Sequence, residues 1–210
     1  MTQDSNEHWE NIDQTKKPDE MSWHQDKPNT SLDLIVEIDL DKNAKVIDVG
    51  AGDSRLVDNL IDLGFRNITV LDISSNALER SKKRLGKKAD SIKWVVSDIG
   101  EFETEDRYDL WHDRAVLHFL TKEEDINKYI ETARRFLNQN GYLIVSTFSF
   151  NGPKKCSGLE VKQYSEDSMK KLFSDFEHIR SFEEEHKTPW GTSQIFLYSV
   201  FRKSGNKNEY

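Results

Sequence analysis

The stretch Lys45–Leu60 limits what this chain can fold into more than any other. Val46, Ile47 and Val49 read as a buried strand, Gly50 and Gly52 as a tight turn, and the amphipathic run beyond as a helix starting near Asp53 or Ser54. Glycine enters the positive-φ region without a Cβ penalty, and its bare backbone lets a ligand lie close. The first turn of the helix then aims unpaired amides over the same place. A second apolar strand, Asn67–Asp72, ends on a carboxylate about 20 residues after the glycines, the placement that accepts hydrogen bonds from ribose hydroxyls. The pattern predicts a nucleoside site at the carboxyl ends of parallel strands.

The residues around the turn discriminate between nucleosides. A dinucleotide site takes a third glycine three residues after the second, and here that place holds Arg55. A side chain of that size opposes the close helix–strand approach that a pyrophosphate needs. Asp48 and Asp53 flank the turn with negative charge, which repels a diphosphate and suits a ligand bearing positive charge. S-adenosylmethionine, with its sulfonium and ammonium groups, is such a ligand; a nicotinamide dinucleotide is the alternative.

Five segments in order resemble the motifs of Rossmann-type (class I) S-adenosylmethionine-dependent methyltransferases. Asp48-Val-Gly50-Ala51-Gly52-Asp-Ser54 is similar to the first, and Leu71-Asp72-Ile73-Ser74-Ser-Asn-Ala77-Leu78 to the second. Ser97-Asp98-Ile99, Tyr108-Asp-Leu-Trp-His112-Asp113-Arg114 and Asn138-Gln-Asn-Gly141-Tyr-Leu-Ile-Val-Ser146 are similar to the third, fourth and fifth. The resemblance runs from about residue 30 to residue 203 and is to the small single-domain kind, including thiopurine- and thiol-type enzymes and methyltransferase domains of types 11, 12 and 25. It implies an α/β fold: a doubly wound, mostly parallel seven-stranded sheet with an antiparallel C-terminal hairpin strand and helices on both faces. It also implies S-adenosylmethionine as cofactor and S-adenosylhomocysteine as product. Gly50, Ala51 and Gly52 then contact the cofactor, Asp72 takes the ribose, and Ile73 packs on it. Asp98 and the Ile99 amide take the adenine. Asp48 orders the loop or meets the ammonium through water, and His112 lies near the methionine end. Trp23, in a segment whose Glu7-His-Trp9 and Ser22-Trp23 resemble those of thiopurine-type enzymes, belongs to a lid.

Composition narrows the remaining choices. A chain of 210 residues that is 35% hydrophobic supports one α/β domain. Its net charge of −8 argues against a nucleic-acid partner, which calls for a basic face. A lone cysteine, Cys156, excludes an internal disulfide, and the six histidines show no metal-ligand spacing, so no metal is expected. No apolar run approaches the roughly 20 residues of a membrane span, and the polar start lacks a signal-peptide core, which predicts a cytoplasmic protein, monomer or dimer. Residues 1–20 read as a polar segment and possible lid, 21–203 as the methyltransferase domain and 204–210 as a fraying tail.

Met21–His24 and Leu32–Leu40 read as a lead-in helix. Strands are expected at 45–50, 67–72, 92–97, 108–112 and 141–149, with helices near 54–64, 75–86, 123–138 and 165–173. Phe176–Lys187 and Ser193–Lys203, joined by Thr188-Pro-Trp190-Gly191, read as an antiparallel hairpin.

Each chemical assignment has a plainer counterpart. Asp72 and Asp98 also suit helix caps, although Ser74 or Ser75 serves the first helix equally well. His112 and Asp113, at the end of the fourth strand, are the candidate catalytic residues. Arg114 suits an acceptor carboxylate or an ion pair with Asp113 or a nearby acid. His118 lines the acceptor pocket or sits satisfied in the core. Tyr164, His186 and Trp190 wall the pocket or merely build a hairpin and loop. Methyl transfer is an in-line displacement that needs alignment at about 3–3.5 Å and exclusion of water, plus a base when the acceptor is protonated. A small-molecule acceptor is favoured; a protein lysine acceptor and a non-catalytic S-adenosylmethionine sensor are the alternatives.

Overall fold

The computed structural model describes residues 3–17 and 20–205, so expectations about residues 1, 2, 18, 19 and 206–210 lie outside the described residues. Two helices lead, α1 (Gln3–Thr15) and α2 (Asn29–Ile38). The alternation read from Lys45 onward follows as β1 (Lys45–Val49), α3 (Leu56–Asp62), β2 (Asn67–Asp72), α4 (Ser75–Leu85) and β3 (Lys93–Val96). After these come β4 (Tyr108–Arg114), α5 (Glu123–Phe136) and β5 (Leu137–Phe148). A small hairpin, β6 (Lys155–Cys156) and β7 (Leu159–Glu160), precedes α6 (Glu166–Leu172), β8 (Phe176–Lys187) and β9 (Ser193–Lys203). The seven long strands form one sheet in the order β3-β2-β1-β4-β5-β9-β8. It is the mostly parallel sheet with an antiparallel C-terminal hairpin that the motifs implied.

Two compact units make up the chain: one runs to Phe102 and includes Lys187–Thr192, the other spans Glu103–His186 and resumes at Ser193. In the first, β1 pairs parallel with β2 (Val46↔Ile68, Asp48↔Val70) and β2 with β3 (Asp72↔Val96). Val46, Ile47, Val49, Val70 and Leu71 are all buried, as continuous apolar strands must be when helices cover both faces. The helices present matching stripes: Leu56, Val57 and Leu60 of α3, and Ala77, Leu78 and Leu85 of α4.

In the second unit β4 runs parallel to β5 (Asp113↔Val145, Arg114↔Ser146), and β9 runs antiparallel to β5 (Ser146↔Tyr198, Phe148↔Phe196). Ile126, Tyr129, Ile130, Ala133 and Phe136 form the buried stripe of α5. Ser165 and Ser168 cap α6 reciprocally.

Several boundaries differ from expectation. The polar leading segment forms the kind of short helix that Trp9 and Ile12 suit it for, with Ile12 buried, whereas the boundaries after it are shifted. Met21–His24 is a turn closed by the His24 amide on the Met21 carbonyl (3.1 Å), and α2 starts only after Pro28. A turn at 51–54, closed by the Ser54 amide on the Ala51 carbonyl (2.9 Å), delays α3 to Leu56. β5 begins four residues early, at Leu137, which is paired with Tyr108. A register shift between Tyr108 and Leu110 absorbs the extra length. Gly141 is required there, because a Cβ would stand 2.9 Å from the Asn138 carbonyl.

Candidate functional site

In the first unit the glycine turn and the end of β2 meet. Gly50 (φ 60°) and Gly52 (φ 54°) both occupy the left-handed region. The Gly52 amide donates to Asp72 Oδ2 at 2.6 Å, and the Ser74 amide to Oδ1 at 2.8 Å. Burial pushes the Asp72 carboxyl up to about 7; those two amides oppose the shift, while Asp13 and Asp48 add to it. Beyond its chain neighbours, the described residues bring one heavy atom within 4 Å of a Cβ built on Gly52, Asp72 Oδ2 at 4.0 Å, so glycine there leaves a shallow open floor beside the carboxylate. Ser74 caps α4 by accepting from the Ala77 amide (3.2 Å), so Asp72 is not that helix's cap.

β3 brings Asp98 alongside: the Ser97 amide donates to the Asp72 carbonyl at 3.0 Å. Asp98 Oδ1 accepts from the Gly100 amide (2.7 Å), and Ile99 is buried. Asp48 and Ala51 are buried under the turn, and Ile73 is half-buried.

Helix α1 lies against α4. Glu10 Oε1 accepts from the Ser75 amide (2.7 Å), and Oε2 accepts from the Asn76 amide (3.3 Å), the Ser74 hydroxyl (3.3 Å) and the Asn76 side chain. An acid at a helix N-terminus is the favourable pairing with its exposed amides. Burial alone would raise this carboxyl; the Ser75 and Asn76 bonds prevail and hold it below the usual carboxylate range. One turn on, Arg80 joins Asp13 (2.6 Å) to Asp53 (3.0 Å), tying helix α1 to the glycine turn. Trp9 and Trp23 meet edge to face, centroids 5.9 Å apart. Glu10, Asp13 and Arg80 are functional candidates that sequence reasoning missed. Their only signal is a pair of acids on one face of a polar helix, three residues apart.

The remaining candidates fall mostly in the second unit. His112 is buried within β4. The Asp113 carboxylate is fully buried and accepts from the Val116 (2.8 Å) and Leu117 (3.2 Å) amides and from the Tyr129 hydroxyl. Burial raises it to about 6 against those bonds. Strand alternation puts Arg114 on the opposite face, so the Arg114–Asp113 ion pair is not formed. Instead Arg114 Nε donates to the Tyr198 hydroxyl (3.3 Å), and its guanidinium lies 4.9 Å from the Phe196 centroid. The next residue, Ala115, has φ 81°, a left-handed conformation costly for a residue with a Cβ.

His118 is wholly buried and stacked on Phe148 at 4.4 Å; its Nδ1 accepts from the Phe148 amide (3.2 Å), while its Nε2 has no hydrogen-bond partner among the described residues. Burial and the Arg114 charge bring its pKa down to about 3. Tyr164 is buried with its hydroxyl unpartnered, and burial with the nearby Asp113 charge drives its pKa upward. His186 is buried 6.0 Å from Phe196. Trp190 is 60% exposed on the 188–191 turn, which groups with the first unit. Among the described residues no group of three or more His, Cys, Asp or Glu side chains is placed to hold a metal ion, and no helix is long and apolar enough to cross a membrane.

Comparison with known proteins adds to this geometry. A family model described as a methyltransferase domain matches residues 40–205. Nodulation protein S of Rhizobium tropici is 29% identical over 101 residues, 48% of this chain and 42% of that protein. The eEF1A lysine and N-terminal methyltransferase of Mus musculus is 26% identical over 164 residues, 73% of this chain. The match spans only 23% of the mouse protein, so this chain corresponds to less than half the length of either relative. Among solved structures, the N-methyltransferase NodS of Bradyrhizobium japonicum WM9 in complex with S-adenosyl-L-homocysteine superposes with a TM-score of 0.71 at 16% identity, covering 94% of this chain and all of NodS. At that identity the likeness is one of fold.

Proposed function

The chain belongs to the methyltransferase-domain family, and on that premise we propose that it transfers a methyl group from S-adenosylmethionine to a small-molecule acceptor. The observation that carries the reading is the buried Asp72 carboxylate beside two left-handed glycines, with an open floor where a Cβ would stand. That cradle fits a ribose against bare backbone. S-adenosylmethionine, when bound, supplies a methyl group on a positively charged sulfur that an aligned nucleophile displaces.

The chain's own residues provide binding, alignment and dryness. Asp72 accepts from the ribose hydroxyls with the lone pairs its two amide bonds leave free. Ile73 packs beside the sugar, and Asp98 and the Ile99 amide address the adenine. Asp48 orders the turn under Gly50 and Ala51. Helix α1, latched through Glu10 and the Asp13–Arg80–Asp53 chain, closes the site with Trp9 and Trp23 and keeps water out. His112, buried within β4, is the residue that the resemblance of the fourth motif assigns to the methionine end. Asp113 is a positioning residue: its carboxylate is committed to the turn that sets Arg114 and His118. Tyr164 and His186 border the acceptor.

Curated relatives carry names of both small-molecule and protein methyltransferases. A small acceptor is in keeping with the buried polar atoms of the second unit that lack a hydrogen-bond partner among the described residues, His118 Nε2, Ser146 Oγ and Gln194 Oε1 among them. Calorimetry with S-adenosylhomocysteine tests the cofactor: micromolar binding to the native chain and its loss in Asp72→Ala are expected, and no binding to the native chain overturns the reading. Labelled methyl donor added with a cell lysate tests the acceptor. Label in the small-molecule fraction is expected; label on a protein band would replace the acceptor with a polypeptide.

A further inference from the structure

Strand β3 closes one side of the sheet, and among the described residues no strand pairs with its outer edge. The Ser97 amide donates to the Asp72 carbonyl on β2 at 3.0 Å. Strand alternation therefore turns the N–H and C=O groups of Val95 toward β2 and those of Trp94 and Val96 outward. Such an edge is a template for another chain unless it is covered, and Val96 on it is 54% exposed. The side chains of Trp94 and Val96 share one face of the strand. Lys82 of α4 stands over the same indole, its Nζ 5.8 Å from the ring centroid.

Beside this edge lies a cleft of about 500 Å³, with Lys82, Lys83, Asp90, Ile92 and Trp94 among its walls. The indole is fixed there, because its Nε1–H donates to the Ala89 carbonyl at 3.0 Å. Charge singles out the same strip. From Lys82 to Lys93 the chain carries six basic residues and one acid, Asp90, although its net charge is −8. Acids answer three of the six: Glu79 for Lys82, Asp58 for Arg84 and Asp62 for Lys88. Lys83 adds an exposed ammonium to the cleft wall. Outward amides and carbonyls suit a polypeptide strand, the excess of lysine suits an acidic one, and a fixed indole beside Ile92 suits a bulky apolar side chain. Single-stranded nucleic acid also combines stacking with basic charge. It has no use for a strand edge, however, and the acids interspersed among these lysines oppose a continuous run of phosphates.

We propose that the outer edge of β3 and the cleft between Lys82 and Trp94 dock an extended acidic segment of a partner protein. The segment adds a strand beside β3, exchanging hydrogen bonds with the backbone of Trp94 and Val96. Its carboxylates lie against Lys82 and Lys83, and one bulky apolar side chain enters the cleft on Trp94 and Ile92. Backbone pairing supplies the common part of the affinity, while the lysines and the indole supply the selectivity. None of these residues belongs to the Asp72 cradle, so the docking stands independently of methyl transfer.

The test is fluorescence anisotropy of the full chain with a fluorescein-labelled peptide, Glu-Glu-Phe-Glu-Val-Glu-Glu, and with its counterpart carrying lysine for every glutamate. The acidic peptide is expected to bind at least about tenfold more tightly, by a margin that shrinks as salt is added. N-methyl groups on one alternate set of its amides should abolish binding, while the other set should be tolerated, because one edge of the added strand faces β3. The double variant Lys82→Gln, Lys83→Gln, its fold checked by circular dichroism, should lose the preference for the acidic peptide. Trp94→Ala should weaken that peptide by about tenfold. No binding of either peptide, equal binding of the two, indifference to which amides are methylated, or a preference that survives the double variant each overturns the proposal. Tighter binding of a labelled oligouridylate than of the acidic peptide overturns it as well and makes the occupant a single-stranded nucleic acid. If the variants fail to fold, the peptide comparisons on the native chain decide alone.

Discussion

Around Asp72, charged side chains drawn away from water answer one another or nearby backbone: Asp72 with Gly52 and Ser74, Arg80 with Asp13 and Asp53, Arg84 with Asp58. Around Phe196 the opposite holds, and His118 Nε2, Ser146 Oγ and Gln194 Oε1 are buried without partners among the described residues. Thr147 Oγ1 and Tyr164 OH, elsewhere in the same unit, share that condition. Folding by itself satisfies these particular groups of the first region. In the second, a buried donor or acceptor without a partner costs about 1–3 kcal/mol, a cost that a bound molecule can reverse.

The sharpest way to break this contrast is at Asp72. Asp72→Ala should lower S-adenosylhomocysteine affinity by about a hundredfold, close to 3 kcal/mol, as measured by calorimetry. Because burial holds the Asp72 carboxyl near 7, the native chain should bind more weakly as pH falls below that value, and Asp72→Asn should flatten the dependence.

Next in size is Arg80→Met, which leaves the mostly buried Asp13 and Asp53 without their shared partner. A loss of about 2 kcal/mol is expected in urea unfolding. No loss would show that the first region is not held by its ion pairs.

His118 tests the same contrast through pH. Its pKa is about 6.5 unfolded and about 3 folded. The neutral ring therefore contributes stability that is fully present above about 6.5 and fades as pH falls toward 3, at up to about 1.4 kcal/mol per pH unit. Asp72 and Asp113 work the other way, since their raised values favour the folded state at low pH. His118→Phe should remove the acid-labile part, so that its unfolding midpoint falls less than that of the native chain between about pH 7 and about pH 5. Identical slopes in both chains would contradict the buried neutral ring.

Smaller effects should have the opposite sign in the second region. Ser146→Ala and Thr147→Val delete unpartnered hydroxyls and should leave stability unchanged or raise it by about 1 kcal/mol. A loss above that size would mean the hydroxyls are satisfied in solution. Smallest is Ala115→Gly, where relief of the left-handed backbone should outweigh the added flexibility by about 0.5 kcal/mol in thermal unfolding.

The difference between the regions also governs what a reader of the sequence can see. Val46–Val49, Gly50, Gly52 and Asp72 are legible because strand, turn and carboxylate are fixed by local rules of periodicity and φ. Their order along the chain is their order around the cradle. The Arg114–Tyr198 contact joins residues 84 apart, and the links from Glu10 to Ser75 and from Asp13 to Arg80 span 65 and 67. Nothing local announces such partners. Asp113 looked equally like a reacting group and an ion-pair partner. Only the fold shows its carboxylate taken by Val116, Leu117 and Tyr129. Ala115 carries no sequence signal, because an alanine gives no hint of a left-handed φ of 81° as a glycine or asparagine would.

The reach of Glu10 bears on where the working piece of this protein starts. The match to the methyltransferase-domain family model begins at residue 40, yet the amides of Ser75 and Asn76 are answered from residue 10. A fragment trimmed to the matched span would expose the start of α4 to solvent and strip Arg80 of one carboxylate. Sequence kinship marks out the inherited portion, while the unit that must travel intact through any truncation includes the helix ahead of it.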